Sequence, residues 1–257
     1  MILVEQILNQ YDPISLKEMD GVKLMDRTDT KYTFHLSTLT AALEKVRDQY
    51  KILEVEGKRA SRYKTLYYDT SSLELYTKHH NVELNRYKIR HRTYVESNIG
   101  FLEVKFKNNK GRTLKERIKK KEAQQDSWDA DSSKFLSEKL PFDFNMLEPV
   151  LWINYSRITL VNRFSAERLT IDLDLEFLNN ANEKQMANLV IAEVKQESKK
   201  PSPFIDAMKE LHIREGSISK YCMGIALTRK GIKKNSFKAK LLSLKHIVEN
   251  DLISSAF

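Results

Sequence analysis

Charged side chains, most of them basic, recur at every second position in several segments of this sequence. They are Arg86, Lys88, Arg90 and Arg92, then Glu103, Lys105 and Lys107, then Lys115 and Arg117, then Arg168, Asp172 and Asp174, and finally Glu193 and Lys195. In a β-strand, residues two apart point to the same face. Arginine binds phosphate oxygens through paired hydrogen bonds, and lysine supplies a mobile point charge. The pattern predicts strands that present a basic face to a highly anionic ligand.

Carboxylates occur among these bases, Glu103, Asp172 and Glu193 among them. A site that bound anions alone would not need them. Mg²⁺ and Mn²⁺ prefer one or two carboxylates together with phosphate oxygens and water. Bases, a divalent metal and a few acids together indicate phosphoryl chemistry on a nucleotide or a polyphosphate. The sequence has no Walker-type glycine-rich loop, so side chains would have to bind the phosphates.

The charged positions lie in segments whose alternation predicts β-strands. These strands are residues 23–36, 51–56, 62–69, 84–95, 101–107, 112–119, 150–162, 168–177 and 189–196. Helical periodicity predicts helices over residues 2–10, 37–50, 132–140, 204–211, 217–228 and the C-terminal stretch, with a short helix or turn at 71–79. Gly57 and residues 108–111 have the composition of turns.

One strand with alternating charges is most simply the solvated face of an antiparallel sheet. Five or six strands with the same basic excess favour a sheet that curls around a charged interior. We therefore predict an α+β fold, a mostly antiparallel β-barrel that forms a basic tunnel, with peripheral and C-terminal helices. One domain is expected over residues 1–257, with its core at about 23–228 and a helical extension at 229–257.

The overall charge agrees with an anionic ligand. The 257 residues include 44 Lys and Arg against 35 Asp and Glu, which gives a formal net charge of +9. Cys222 is the single cysteine, so no disulfide can form within the chain and a reducing compartment is expected. No segment has the length and composition of a signal peptide or a membrane-spanning helix. These features predict a cytoplasmic protein.

Eight segments, in order along the chain, resemble the VTC domain, the polyphosphate-polymerase domain of the vacuolar transporter chaperone complex. They are residues 29–32, 86–92, 102–105, 111–117, 155–157, 168–172, 192–195 and 219–221. The domain belongs to the triphosphate tunnel metalloenzymes. The resemblance implies an antiparallel barrel with a basic tunnel, in which the γ-phosphate of ATP moves onto a growing polyphosphate chain with Mn²⁺ or Mg²⁺.

The resemblance also implies roles for residues of this sequence. The expected catalytic residues are Lys31, Arg90, Arg92, Lys105, Lys115, Arg157, Arg168 and Lys220. The expected substrate-binding residues are Lys88, Arg117, Tyr155, Lys195 and Ser219. Glu193 is the expected metal ligand, and Glu103 and Asp172 are secondary candidates. The adjacent His79 and His80 lack the spacing of a metal site and are interpreted as structural or surface residues.

Two departures from relatives bear on the activity. Hydrolytic tunnel enzymes typically begin with Glu-x-Glu-x-Lys on the first strand, where this chain has Arg27, Asp29 and Lys31. Arg27 stands where those enzymes have the first glutamate. This replacement favours binding of a phosphate chain over a site for two metal ions. The eukaryotic complex adds SPX and transmembrane domains that this sequence lacks, so a separate membrane protein is an expected partner and would place the protein at the inner face of the membrane.

Two alternatives stay open at the level of sequence. One is a tunnel triphosphatase that hydrolyses inorganic triphosphate or a nucleotide. The other is a non-catalytic module that binds polyphosphate. Nucleic acid is not an expected partner, because the bases share the face assigned to a narrow interior rather than an exposed surface with interleaved aromatic residues.

Overall fold

In a computed structural model that describes residues 2–19, 28–198 and 200–249, eleven strands form one sheet. The strands are β1 (Pro13–Ile14), β2 (Thr28–His35), β3 (Tyr50–Leu53), β4 (Ala60–Asp69), β5 (Arg86–Tyr94), β6 (Ile99–Lys107), β7 (Thr113–Lys119), β8 (Glu148–Asn162), β9 (Glu167–Leu178), β10 (Glu183–Met186) and β11 (Leu189–Gln196). The helices are α1 (Ile2–Leu8), α2 (Leu16–Met19), α3 (Leu39–Val46), α4 (Glu74–His80), α5 (Ala130–Lys139), α6 (Pro203–Glu210), α7 (Lys220–Thr228) and α8 (Lys238–Glu249).

The main path of the sheet runs β2-β11-β9-β8-β4-β5-β6-β7, and every neighbouring pair on this path is antiparallel. In the described part of the chain, the terminal strands β2 and β7 are not paired with each other. The sheet is therefore barrel-like without being strictly closed. The predicted α+β, mostly antiparallel barrel fold is confirmed, with a seam between β2 and β7.

The outer face of the sheet is covered by helices. Helices α1, α3 and α6 pack on the strands around β9 and β11, where Leu39 and Leu43 are completely buried. Helix α5 packs its Phe135 and Leu136 against β5 and β6, where Ile89 is completely buried. Along each strand, apolar residues such as Ile89 that contact these helices alternate with charged residues, as the period of two requires. The charged residues consequently face the interior.

Helices α7 and α8 occupy one end of the interior. Tyr221 and Ile225 of α7 are buried in a cluster with β8, β9 and β4, and Leu244 of α8 joins the same cluster. Gly224 is needed here because a Cβ at this position would lie 2.6 Å from side-chain atoms of Leu151 and Phe177. The interior thus has an apolar half that α7 fills and a polar half that the charged strands line.

A buried carboxylate ties α7 to the sheet. Asp69, at the end of β4, accepts hydrogen bonds from the backbone N–H groups of Thr70, Leu75 and Tyr76 and from the hydroxyl of Tyr221. Asp69 is completely buried, so these donors satisfy a group that would otherwise be costly to desolvate. The contact fixes the first turn of α7, which carries two of the predicted site residues.

Most predicted elements are confirmed, with boundaries shifted by a few residues. Strand β10 and the short β1 and α2 were not predicted. Asp174 departs from its predicted face: a β-bulge opposite Tyr155 gives Asp174 a φ of 53° and leaves it exposed. On the C-terminal helix α8, whose periodicity predicts an apolar side, Leu242 is 49% exposed. Arg27 lies outside the described residues.

None of the described helices is both long and apolar enough to cross a membrane.

Candidate phosphate-binding site

The predicted bases converge because neighbouring strands are in register. Arg90 of β5 faces Glu103 of β6, and Glu103 in turn faces Arg117 of β7. One step along, Lys105 of β6 faces Lys88 on one side and Lys115 on the other. Side chains opposite each other in antiparallel strands lie on the same face at contact distance. Three consecutive strands therefore supply one continuous basic surface.

Within this surface, Glu103 is held between two cations. Arg90 contacts its Oε2 at 2.7 Å through Nε and at 2.6 Å through Nη2, and Lys115 contacts its Oε1. Glu103 is completely buried. Burial would raise the pKa of this carboxyl, but Arg90, Arg92 and Lys115 hold it well below its usual range. Glu103 is therefore ionised, and the triad carries one net positive charge.

A second carboxylate between two cations lies on the other side of the interior. Arg157 of β8 donates to Asp172 of β9 at 2.5 Å through Nε and at 2.8 Å through Nη2, and Lys220 contacts the same carboxylate. Asp172 is 2% exposed, yet its pKa lies well below the usual range, because Arg157 and Lys220 outweigh the effect of burial. Lys220 reaches this position because α7 begins there, capped by Ser219.

The third triad joins β2 and β11. Lys31 lies 2.8 Å from Oε1 of Glu193, and Lys195 contacts Oε2. Although burial opposes it, these two amines hold the pKa of Glu193 well below its usual range. Burial lowers the pKa of Lys195 to about 8, against the attraction of Glu193. Each of the three triads thus has two cations around one carboxylate, and in the third Asp29 also lies 4.0 Å from Lys31.

Tyrosines line the space between the triads. The ring of Tyr155 stacks on Tyr63 at 5.2 Å, and Arg157, Lys220 and Arg92 lie over it at 5.3, 5.2 and 5.9 Å. The hydroxyl of Tyr155 is buried and has no hydrogen-bond partner among the described residues. A buried donor among three cations is positioned to bind an anionic oxygen.

The positive potential of this region lowers the pKa values of two further groups. Burial would raise the pKa of Tyr67, but Arg90, Arg92 and Lys88 bring it below its ordinary value, and Arg90 donates to its hydroxyl at 3.1 Å. The pKa of Lys105 lies well below its ordinary value, because Arg90 repels its charge and burial adds to the effect. Cations here therefore outnumber the acids that could balance them.

The other predicted residues are arranged around this centre. Lys88 donates to the hydroxyl of Ser219 at 3.1 Å, and Arg92 donates to Thr65 at 3.3 Å. Arg168 is half-buried on β9 opposite Lys195. Arg117 is exposed on the edge strand β7, where its guanidinium lies 4.2 Å from the centre of the Phe101 ring. Tyr63, Tyr67 and Thr65 were not predicted, although the period of two along β4 places them on the interior face.

The acids fit a divalent metal only in part. In the described ranges, no three His, Cys, Asp or Glu side chains come together as a complete metal site. Glu193 faces the interior, and Asp29 lies nearby at 4.0 Å from Lys31. Mg²⁺ and related ions commonly bind one or two carboxylates and complete their shells with substrate phosphates and water. Both oxygens of Glu193 are in ion pairs with Lys31 and Lys195, just as both oxygens of Asp172 are bound by Arg157 and Lys220. A metal at either carboxylate would therefore have to displace a base.

This interior, built from bases on β-strands around a small number of acids, has the charge that suits a polyanionic ligand. The family model of the VTC domain matches residues 26–229, and the chain belongs to this family. Membership supports an enzyme of the triphosphate-tunnel type, a class that uses divalent metals and takes nucleoside triphosphates and polyphosphates as substrates. No curated protein matches the sequence.

Several solved structures resemble this one at low sequence identity. A candidate adenylate cyclase from Bacillus halodurans is 15% identical, with 76% of this chain and 96% of that chain covered and a TM-score of 0.48. The protein PH1819 from Pyrococcus horikoshii is 14% identical, with 78% and 96% covered and a TM-score of 0.44. A Hippeastrum protein, named as a candidate adenylyl cyclase with a dominant triphosphatase activity, is 10% identical, with 79% and 98% covered and a TM-score of 0.45.

Proposed function

We propose that the protein is an ATP-dependent polyphosphate polymerase, which transfers the γ-phosphate of ATP to a growing polyphosphate chain. The observation that carries the proposal is the set of three triads, each with two cations around one ionised carboxylate. A surplus of positive charge in a partly buried interior favours a ligand with many closely spaced negative charges. Membership of the VTC family supports this choice of ligand.

In this proposal, the arginines and lysines position two phosphate groups for reaction. Arg90, Arg92 and Arg157 bind oxygens of the transferred phosphoryl group, and the hydroxyl of Tyr155 donates a further hydrogen bond. The triads hold these bases in fixed places before the substrate arrives. Phosphoryl transfer depends mainly on such positioning and on stabilising the charge that spreads over the equatorial oxygens.

The chemical step requires no proton transfer by the protein. A terminal oxygen of the polyphosphate chain forms a bond to the γ-phosphorus of ATP, and the bond from that phosphorus to the oxygen bridging to the β-phosphate breaks. ADP leaves with the bridging oxygen, and the chain is longer by one phosphate. Both the attacking and the leaving oxygen are anionic, so Lys105, Lys115 and Lys220 act by neutralising charge.

The low pKa values of the three interior carboxyls favour phosphoryl transfer to a chain over hydrolysis. A hydrolase gains from a general base that removes a proton from water, and such a base has a pKa near the working pH. Glu103, Asp172 and Glu193 all have pKa values well below the usual range, and each is held by two cations. None of the three is suited to accept a proton, whereas an anionic phosphate oxygen attacks without one.

Glu193 is the proposed metal ligand. A bound Mn²⁺ or Mg²⁺ would neutralise charge on the phosphates and orient them. Lys31 and Lys195 then turn from the carboxylate of Glu193 to phosphate oxygens, which keeps each amine paired. Glu103 and Asp172 serve instead to hold their partner arginines in place.

Incubation of the protein with ATP and Mn²⁺ tests the proposal. The expected products are ADP and acid-labile chains that migrate as a ladder of polyphosphates on a gel. Orthophosphate as the sole new phosphate species would show a triphosphatase. Metal-independent binding of polyphosphate without any turnover would show a non-catalytic module.

A further inference from the structure

A cavity of about 340 Å³ lies where α8 and the segment before α7 meet the first residues of β5 and the end of β6. We call it the α8 cavity. Its polar lining consists of His79, Arg86, Lys88, Lys107, Ser217, Ser219 and Lys240. Phe237, Leu241 and Leu244 form the apolar part of the wall. Except for Lys88 and Ser219, none of these residues belongs to the site described above.

The α8 cavity contains cations without carboxylates. Arg86, Lys88, Lys107 and Lys240 line it, and no acidic side chain does. In the part of the chain that the structure describes, these four residues form no ion pair. Lys88 and Lys240 donate instead to the hydroxyl groups of Ser219 and Ser217, at 3.1 and 2.8 Å. The cavity is thus an anion-binding environment with serine hydroxyls as additional donors.

The pKa of His79 reflects the positive potential in the α8 cavity. Its pKa is lowered to about 3, by burial first and then by the charges of Lys88, Arg86 and Lys107. The Nε2 atom of His79 is buried without a hydrogen-bond partner among the described residues. An uncompensated field of this kind costs free energy in the unliganded protein, and a polyanion would relieve it.

The α8 cavity continues the basic row of β5. Arg86, Lys88, Arg90 and Arg92 share one face and are separated by about 7 Å per step, which gives about 20 Å from Arg92 to Arg86. Lys88 lies within the row and also borders the cavity. A chain of phosphates bound at Arg90 and Arg92 can therefore pass Lys88 and reach Arg86, while a triphosphate bound at the triads is too short to do so.

We propose that the α8 cavity is a separate subsite for condensed phosphate, which binds the part of a polyphosphate chain several units away from the reacting group. The subsite makes affinity depend on chain length: long chains contact both the triads and the cavity, and short ones contact the triads alone. The proposal rests on the proposed function for the identity of the ligand. It does not require that the protein turn over ATP.

The test compares two ligands, tripolyphosphate and long-chain polyphosphate, by isothermal titration calorimetry without ATP and with a metal chelator. The double variant Arg86→Ala/Lys107→Ala removes two cations from the cavity. Lys107 is exposed and Arg86 half-buried, so the variant should fold. A matched control, Lys64→Ala/Lys184→Ala, removes the same charge from two exposed positions of other strands.

The cavity variant should bind long-chain polyphosphate about tenfold more weakly or worse, since each lost contact is a charge-assisted hydrogen bond. Its affinity for tripolyphosphate should stay within about twofold of the wild type, and the control should match the wild type for both ligands. Unchanged affinity for the long chain would overturn the proposal. Equal losses in the cavity variant and the control would also overturn it, because they would show a general effect of net charge.

Binding and turnover can fail separately in these experiments. Loss of length-dependent binding in a protein that still polymerises would remove the subsite and leave the proposed function intact. Length-dependent binding without polymerisation would keep the subsite and remove the proposed function.

Discussion

The interior carries bases in two different settings, the three triads and the α8 cavity. In the triads a carboxylate lies between each pair of cations, and Glu103 and Asp172 are almost completely buried. In the α8 cavity, Lys88 and Lys240 contact serine hydroxyls, and Lys107 is exposed. A buried charge costs several kcal/mol unless an opposite charge compensates it, whereas a solvated one needs no partner. Glu103 and Asp172 therefore supply the counter-charges of Arg90 and Arg157, whose side chains are 8% and 15% exposed.

The two settings suit different tasks. Paired bases are fixed in position, which is what a reacting phosphate group requires. Lysines held only by a hydroxyl can exchange that contact for a phosphate oxygen at little cost. Such exchange suits a chain that has to move by one unit after each transfer. The account of the triads as a reaction centre and of the cavity as a chain-binding subsite leads to the following predictions.

The largest effect is expected at the proposed metal ligand. Glu193→Gln should lower polymerase turnover by about a thousandfold or more, because a metal contributes several kcal/mol of charge stabilisation in the transition state. Turnover is measured as ADP formed from ATP with Mn²⁺, and circular dichroism checks the fold. The exposed Glu183→Gln on β10 is the control. Near-normal turnover in Glu193→Gln would rule out a required role for this carboxylate.

The next largest effect concerns the stability of a triad. Glu103→Gln removes the counter-charge of the buried Arg90 and of Lys115 beside it. The substitution should lower the free energy of unfolding by about 3–5 kcal/mol. Denaturation by urea measures the change. Glu116→Gln, which removes a half-exposed partner of Lys139 on the outer face, should have little effect. A similar small change at both positions would mean that Glu103 does not balance the interior charge.

From the lowered pKa of Lys115 we expect opposite pH dependences for the affinity for tripolyphosphate and for the stability of the fold. Burial lowers its pKa from 10.5 to about 8, although Glu103 opposes the shift. Above pH 8 the folded protein loses this charge, so the affinity for tripolyphosphate should fall as the pH rises from 7 to about 9. Between about pH 8 and 10.5 the unfolded chain binds more protons at this lysine than the folded one. The contribution of Lys115 to stability should therefore increase over that range.

Calorimetry from pH 7 to about 9 measures the change in affinity, and urea denaturation of the unliganded protein at the same pH values measures the stability. Lys115→Arg keeps its charge throughout and should weaken both dependences. Dependences as steep in Lys115→Arg as in the wild type would assign them to other groups.

The smallest effect concerns a strained residue three positions after His79 of the α8 cavity. Val82 follows α4 with a φ of 57°, a left-handed conformation that β-branched residues rarely adopt, and its side chain is 70% exposed. Val82→Gly should raise the free energy of unfolding by about 1 kcal/mol. Leu84→Gly, at a similarly exposed position without positive φ, should not stabilise the protein. Because neither variant alters charge, the affinity for long-chain polyphosphate should stay unchanged in both. A loss of affinity in either variant would show that binding depends on the conformation of the segment after α4.

The sequence was sufficient to predict the strands and which of their faces is charged. Alternation over Arg86–Arg92 and Glu103–Lys107 reflects a real division between interior and exterior, and the apolar alternates such as Ile89 and Val104 are buried. The prediction failed at Asp174, because a bulge adds a residue to β9 and reverses the faces beyond it. Such a bulge leaves no signal in the alternation of the neighbouring residues.

The pairing of acids with bases could not be predicted. Arg157 meets Asp172 only through the register of β8 on β9, and Lys220 joins them from a helix 48 positions further along the chain than Asp172. Three of the α8 cavity bases, Arg86, Lys88 and Lys107, lie in the alternating rows, so their position on the charged face could be predicted from the sequence. Lys240 could not, since its place depends on how α8 packs on the sheet.

The central claim is that ATP donates phosphate to a chain rather than to water. ³¹P nuclear magnetic resonance follows ATP, ADP, orthophosphate and the internal phosphates of a chain in one sample with Mg²⁺, which avoids the line broadening that Mn²⁺ causes. The account predicts that ADP and internal chain phosphates increase together while orthophosphate stays low. Orthophosphate that increases in equal amount to ADP, without any signal from internal phosphates, would contradict it.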